Sequence, residues 1–299
     1  MRLPPIAIFV YKRPDHTRRM LETVRANAGF EGSPVFVFCD GPKRPEDEPE
    51  VRRTREIVRG QLDGRAQIVE RTQNMGLARS IIAGVTELVS RFGRVIVLED
   101  DLLLSPATLG YFNAALERYE ADPKVMHISA YMFPVAADLP QAFFYREATC
   151  WGWATWARAW QHFVADGAAI REYVVSRKLQ HEFNVRGSMD FLGMLEDQIA
   201  GRVDSWAIRW YGTMFMKRGL ALHPGHSLIQ NIGFDGTGVN CGASTIFDVT
   251  VAATAPTVLP DRVEESPEAL EAMIRFRPAG LAPRMRVVRR AYRKVRSWL

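Results

Sequence analysis

Three consecutive carboxylates, Glu99, Asp100 and Asp101, follow directly on the apolar run Val95-Ile96-Val97-Leu98. Like charges at the end of a buried strand repel one another, and something cationic must offset them. A divalent ion with hard oxygen ligands does so, and a diphosphate fills its remaining positions. A solvated acidic turn that opens the next helix is the plainer alternative. The chain holds neither a GxxxxGK loop followed by Ser or Thr nor a GxGxxG run, so a P-loop or a Rossmann dinucleotide site has no support.

A transfer reaction also needs a carboxylate that takes a proton from a hydroxyl. Asp204 is the leading candidate. It precedes Ser205 and a run in which Trp206, Trp210 and Met214 recur at four-residue intervals, the spacing of an inward-facing helix. At a helix start Asp204 has a second reading, as a cap for free N–H groups. Glu196 and Asp197, within another predicted helix, are the other candidates. Trp151, Gly152 and Trp153 could line a sugar pocket, because aromatic rings suit the apolar faces of sugars, or they could be ordinary core. Trp156 and Trp160, at helical spacing, read as core. His223 and His226 flank Pro224-Gly225 and read first as loop or core histidines.

These residues need elements to position them. Ile6–Tyr11, Pro34–Cys39, Ala66–Glu70, Arg94–Leu98 and Val125–Ser129 read as strands. Helical patterns begin at Pro14, run over Leu77–Phe92 and Pro106–Tyr119, and alternate with the strands. This rhythm predicts an open α/β sheet, whose ligands bind at the carboxyl ends of its strands. Tyr11-Lys12-Arg13, Asp40-Gly41 and Glu99-Asp100-Asp101 all fall just past strand ends. Asn74-Met75-Gly76 reads either as helix-start chemistry or as a ligand contact. The glycine-rich stretch from Asn231 to Gly238 reads as a lid or an irregular connector.

The strand followed by Glu99-Asp100-Asp101, with Asn74-Met75-Gly76-Leu77-Ala78 before it and Tyr111-Phe112 after it, resembles the GT-A glycosyltransferases. It is most similar to the bacterial glycosyltransferase-2-like proteins and, more distantly, to N-acetylglucosaminyltransferase I. Phe9 to Pro14, Phe38 to Gly41, Cys150 to Trp156 and Asn231 to Gly236 match further, so the likeness spans about residues 5–242. It implies a Rossmann-like, mixed but mostly parallel sheet flanked by helices. It also implies transfer of a sugar from a nucleotide-sugar donor, a UDP-sugar, to a glycan or lipid-linked acceptor in surface polysaccharide synthesis. By that resemblance Asp101 ligates Mn²⁺ or Mg²⁺, Asp100 contacts the ribose or a metal-bound water, and Glu99 faces the transferred sugar. Tyr11 and Arg13 reach the nucleotide, Asp40 accepts from the base and favours uracil, Asn74 and Arg79 contact the donor, and Asp204 is the base of an inverting reaction. Some relatives carry a His near Asn240, where this chain does not. Two rivals stand beside this: a sugar nucleotidyltransferase, disfavoured because Tyr11-Lys12-Arg13-Pro14 replaces a glycine-rich loop, and a non-catalytic carbohydrate- or membrane-binding protein on the same fold.

The chain has 299 residues and a formal charge of +5, but the last acid is Glu271 and nine bases follow it. Without those nine the remainder holds 30 bases against 34 acids. A mildly acidic body with a basic tail argues against a body that binds nucleic acid over one face, and no nucleic-acid partner is expected. Residues 1–260 read as one unit, with a nucleotide-sugar half (1–130) and an acceptor and catalytic half (131–260). Residues 261–299 read as a basic tail. From Arg284 to Leu299 the apolar residues line one helical face, which predicts peripheral contact with an anionic membrane, with packing on the acidic body or an arm for RNA as the other readings. Three scattered cysteines, the absence of a signal-peptide pattern, and no apolar run near the roughly 20 residues of a spanning helix lead to an expected location in the cytoplasm, at the inner face of the plasma membrane.

Overall fold

The computed structural model describes residues 3–236 and 244–276. The basic tail helix expected at 284–299, and the positions 237–243 that include Asn240, lie outside the described residues.

Among the described residues ten strands form: Ile6–Val10 (β1), Val35–Cys39 (β2), Ala66–Glu70 (β3), Arg94–Glu99 (β4), Leu102–Leu104 (β5), Val125–Ser129 (β6), Ala142–Tyr145 (β7), Trp153–Trp156 (β8), Leu220–Pro224 (β9) and Ile229–Asn231 (β10). Eight of them make one sheet in the order β3-β2-β1-β4-β8-β6-β9-β7. β1 to β4 are parallel to one another, as is the β6–β9 pair, whereas β8 runs antiparallel to both β4 and β6 and β7 antiparallel to β9. The expected α/β architecture, a mixed and mostly parallel sheet flanked by helices, is the one observed.

The strand residues alternate between two cores, as the period of two requires. Ile6, Ile8, Val10, Ile96 and Leu98 face one side with Met20 and Val24 of the helix Pro14–Arg25 and with the helix Thr108–Arg118. Ala7, Phe9, Val95 and Val97 face the other, with Ile81 and Val85 of Leu77–Phe92 and Trp206 and Trp210 of Trp206–Lys217. A third cluster fills the space among Gly167–Ser176, Phe191–Ile199 and Pro267–Phe276. Just past residue 260 the chain is held to the body: Glu265 pairs with Arg146, and Ala269, Leu270 and Met273 are buried.

β8 corrects the expected aromatic arrangement. Trp156 is a strand residue opposite Arg94, not a helical one. Trp153 is fully buried, stacked between His127 and Trp206 with ring centroids 5.2 and 4.9 Å away. Such pairs add about 0.5–1.5 kcal/mol each beyond their area. Trp153 is therefore core and not pocket wall. His127 joins this stack in its neutral form: it accepts from Trp210 Nε1 at 3.1 Å, and its Nε2 faces the Thr149 carbonyl at 3.0 Å. Burial pushes its pKa down to about 3. Gly152, one residue ahead, has φ +73°, and any β-carbon there would collide with Ile229. His223 is likewise buried, stacked on Phe143, while His226 is exposed.

Candidate active site

The carboxyl ends of β1, β2 and β4 meet at one edge of the sheet. Phe9 lies opposite Glu99 in the β1–β4 ladder, and Asp40 N–H donates to the Val10 carbonyl at 3.0 Å. Two clusters occupy this edge.

The first is built on the acidic triplet. Arg13, the residue before the helix Pro14–Arg25, places Nη1 2.9 Å from Asp101 Oδ2 and 3.8 Å from Asp100 Oδ1. Its Nη2 donates to the Gly233 carbonyl at 3.3 Å and lies 3.6 Å from Asp235 Oδ1. The Tyr11 N–H donates to Asp100 Oδ2 at 3.3 Å. Burial, then the neighbouring Asp101 carboxylate, pushes Asp100 up to about 7, and the same two causes hold Glu99 well above the ordinary carboxyl range. Three acids thus share one guanidinium, and that guanidinium also serves Asp235.

The loop after β10 lies over the triplet. β10 pairs with β5, the short strand that follows Asp101, with Asn231 opposite Leu102. The Ile232 N–H then donates to the Asp101 carbonyl at 2.8 Å. Gly233 passes so close to Asp101 Oδ2 that a side chain would strike it. His16 Nε2 lies 3.3 Å from the Ile232 carbonyl and 3.1 Å from Asp235 Oδ2. On its other flank the loop packs Phe234 against half-buried Trp151, which also meets Tyr131 and Phe247 edge-on. Trp151 therefore stands beside the site as an aromatic wall, where Trp153 does not.

The second cluster is built on Asp40. Oδ1 accepts from Gly41 and Met75 N–H at 3.0 and 2.9 Å, and Oδ2 accepts from Gly76 N–H at 3.0 Å. Asn74 Nδ2 donates to the Gly41 carbonyl at 2.9 Å. Both residues, expected to meet the nucleotide or the donor, are instead engaged in shaping the turn before Leu77–Phe92. The uracil preference expected through Asp40 loses its support. Arg79, on the first turn of that helix, is exposed and has no partner among the described residues. Tyr11 is also tied down: its hydroxyl donates to Asp47 Oδ2 at 2.8 Å and accepts from Lys43 N–H at 3.0 Å. Lys12 Nζ sits 2.6 Å from Asp47 Oδ1, which holds Asp47 down at about 2.

Asp204 belongs to this second cluster. The cap of Trp206–Lys217 is Ser205, whose side chain accepts from Ile208 N–H. Asp204 is left more than half exposed, 3.4 Å from Arg209, with Oδ2 close over Gly76. Glu99 continues the strand row of Val95 and Val97, on the face where Trp206 stacks over Trp153. Glu99 and Asp204 therefore flank the same side of the sheet edge. Glu196 and Asp197 are placed elsewhere, in surface ion pairs with Arg171 and Arg202 on the helix Phe191–Ile199.

No group of three or more His, Cys, Asp or Glu side chains among the described residues surrounds a single point as a protein-only metal cage. The donor set fits a different type of site, in which one or two carboxylates bind the ion and phosphate oxygens complete it. Asp101 and Asp100 supply hard oxygens, and burial together with the adjacent Asp101 carboxylate raises Asp100.

No protein-family profile matches the chain, and no curated protein sequence matches it. Solved structures are similar at a distance. The mannosyltransferase PcManGT from Pyrobaculum calidifontis, in complex with GDP-Man and Mn2+, is 15% identical with a TM-score of 0.39, over 72% of this chain and 69% of that one. S. aureus TarS is 13% identical with a TM-score of 0.32, over 46% of this chain and 23% of that one. A cytidylyltransferase from Leptospira borgpetersenii is 11% identical with a TM-score of 0.35, over 61% and 72%.

Proposed function

We propose that the chain is a metal-dependent glycosyltransferase that moves a sugar from a nucleotide-sugar donor to a hydroxyl of a glycan or lipid-linked acceptor, with inversion. The observation that carries this reading is the under-neutralised triplet at the β4 end, spanned by Arg13 and covered by the 231–236 loop. Such an edge suits a ligand that brings both negative phosphate and a divalent ion. Asp101, with Asp100 behind it, would hold Mn²⁺ or Mg²⁺. An ion bound there offsets the charge of the diphosphate as it leaves.

The chain's own residues account for the rest. Arg13 orients the phosphates from the β1 side. Glu99 faces the sugar, and the loop with Phe234 and Trp151 excludes water from it. Asp204, freed from capping by Ser205, accepts the proton of the acceptor hydroxyl as its oxygen bonds to the anomeric carbon and the bond to the diphosphate breaks. The nucleotidyltransferase alternative is less well supported, because Tyr11-Lys12-Arg13 turns directly into the helix Pro14–Arg25 with no glycine-rich loop. The basic segment 284–299 is proposed to hold the enzyme at an anionic membrane surface near its acceptor; truncation before Arg284 should release it from anionic liposomes without loss of soluble activity.

The test is nucleotide release from a panel of UDP-, GDP-, CMP- and dTDP-sugars, UDP-sugars first, with and without Mn²⁺. The expected result is metal-dependent release with one donor. Absence of both nucleotide release and metal-dependent nucleotide binding would overturn the reading.

A further inference from the structure

We infer that the Arg13 guanidinium occupies the cation position of the acidic triplet, so that a divalent ion binds only by displacing it, and that Asp235 receives the displaced arm. The inference rests on the proposal that Asp101 holds the ion. Asp101 Oδ2 is covered twice. Arg13 Nη1 lies on it at 2.9 Å, and Gly233 passes so close to it that a β-carbon would not fit. Arg13 thus holds the position on Asp101 Oδ2 that an ion would take.

A guanidinium and a divalent ion on one carboxylate oxygen would repel strongly in this half-buried setting. The guanidinium must therefore be the group that moves. Its other arm already points the way. Nη2 lies 3.6 Å from Asp235 Oδ1 and donates to the Gly233 carbonyl, and Asp235 is itself steadied by His16 at 3.1 Å. A small swing transfers the charge from Asp101 to Asp235. A diphosphate offers Arg13 a second receiver. Ion and nucleotide therefore bind cooperatively: each favours the state in which Arg13 has left Asp101.

The experiment measures Mn²⁺ binding by the loss of the free-ion electron paramagnetic resonance signal, with and without UDP. For the unmodified chain, weak binding alone and tighter binding with UDP are expected. Arg13→Gln should bind Mn²⁺ alone more tightly, by about tenfold, the scale of one charge-assisted contact. It should also lose most of the tightening by UDP. Unchanged or weaker binding of Mn²⁺ alone by folded Arg13→Gln would overturn the inference, since a residue that merely helps to bind the donor predicts no gain. Asp235→Asn, at a 40% exposed side chain, provides an arm that does not depend on the first variant folding. Deprived of its receiver, Arg13 stays on Asp101, so Mn²⁺ should bind several-fold more weakly than to the unmodified chain; equal or tighter binding counts against the inference. If the unmodified chain binds Mn²⁺ in neither condition, the metal reading itself is overturned, whereas UDP-dependent binding with no gain in Arg13→Gln removes only the displacement.

Discussion

Asp204 Oδ2 lies 3.8 Å from the point where a β-carbon would stand on Gly76. The carboxylate ahead of the Trp206 helix thus hangs over the turn that Asp40 shapes, although 128 residues separate the two in sequence. Asp204→Asn should leave donor and metal binding intact and lower transfer by about 10²- to 10⁴-fold, the range of a positioned acid–base group. Steady-state kinetics beside calorimetric UDP binding checks this. Glu196→Gln and Asp197→Asn, which alter surface ion pairs, should stay close to full activity; a large loss in either would move the base to that helix.

Asp40 is a structural acid. Its carboxylate takes three backbone N–H groups from two segments. Asp40→Ala strands those donors and should cost roughly 3 kcal/mol or more, read as a lowered urea midpoint with an unchanged slope. Nucleotide preference across the donor panel should not change, because the carboxylate is engaged with backbone N–H groups of the turn.

Two buried groups, Asp100 and His127, are shifted in opposite directions. The Asp100 carboxyl is raised to about 7 from its ordinary 3.8. Its contribution to stability is therefore full below about pH 4 and is lost as pH rises through about 7. His127, lowered to about 3 from 6.5, contributes stability above about pH 6.5 that is lost as pH falls toward 3. In thermal unfolding of the metal-free protein, Asp100→Asn should match the unmodified chain near pH 4 and become the more stable of the two by pH 8. Added Mn²⁺ should narrow that gap by stabilising the unmodified chain more than the variant. A gap that widens toward low pH would contradict the assignment.

Gly152→Ala tests the close approach behind the site. The positive φ and the collision with Ile229 act together, so the substitution should destabilise by about 1–3 kcal/mol. Trimming the partner in Gly152→Ala with Ile229→Ala should recover only part of this, since the backbone strain remains. Chemical denaturation of the two variants measures the split.

Much of the first half was legible because its signals are local. The apolar runs of β1 to β4 and the helical spacing of Leu77–Phe92 each lie within one window of sequence. The polar residues past the strand ends were legible for the same reason. What those residues touch was not. The partners of Asp40 are backbone groups up to 36 residues away, and the loop that covers Asp101 lies more than 130 residues on. Neither leaves a mark on residue type. His16 carried a faint signal, three residues after Arg13 on a helix face, but nothing near it in sequence names Asp235. β8 was missed because Trp-Ala-Thr-Trp is equally at home on a strand or a helix until its neighbours are known.

The placement of β8 has a consequence for how the chain reaches its fold. Residues 153–156 insert between β4 and β6, so the strand that carries the acidic triplet has an open hydrogen-bonding edge until more than half of the chain is available. During synthesis the first parallel strands must wait with that edge bare, a state prone to pairing with other chains. A fragment ending near residue 130 should therefore aggregate rather than fold as a small nucleotide-binding unit. The edge that carries the acidic triplet is complete only once the strand that seals it has been made.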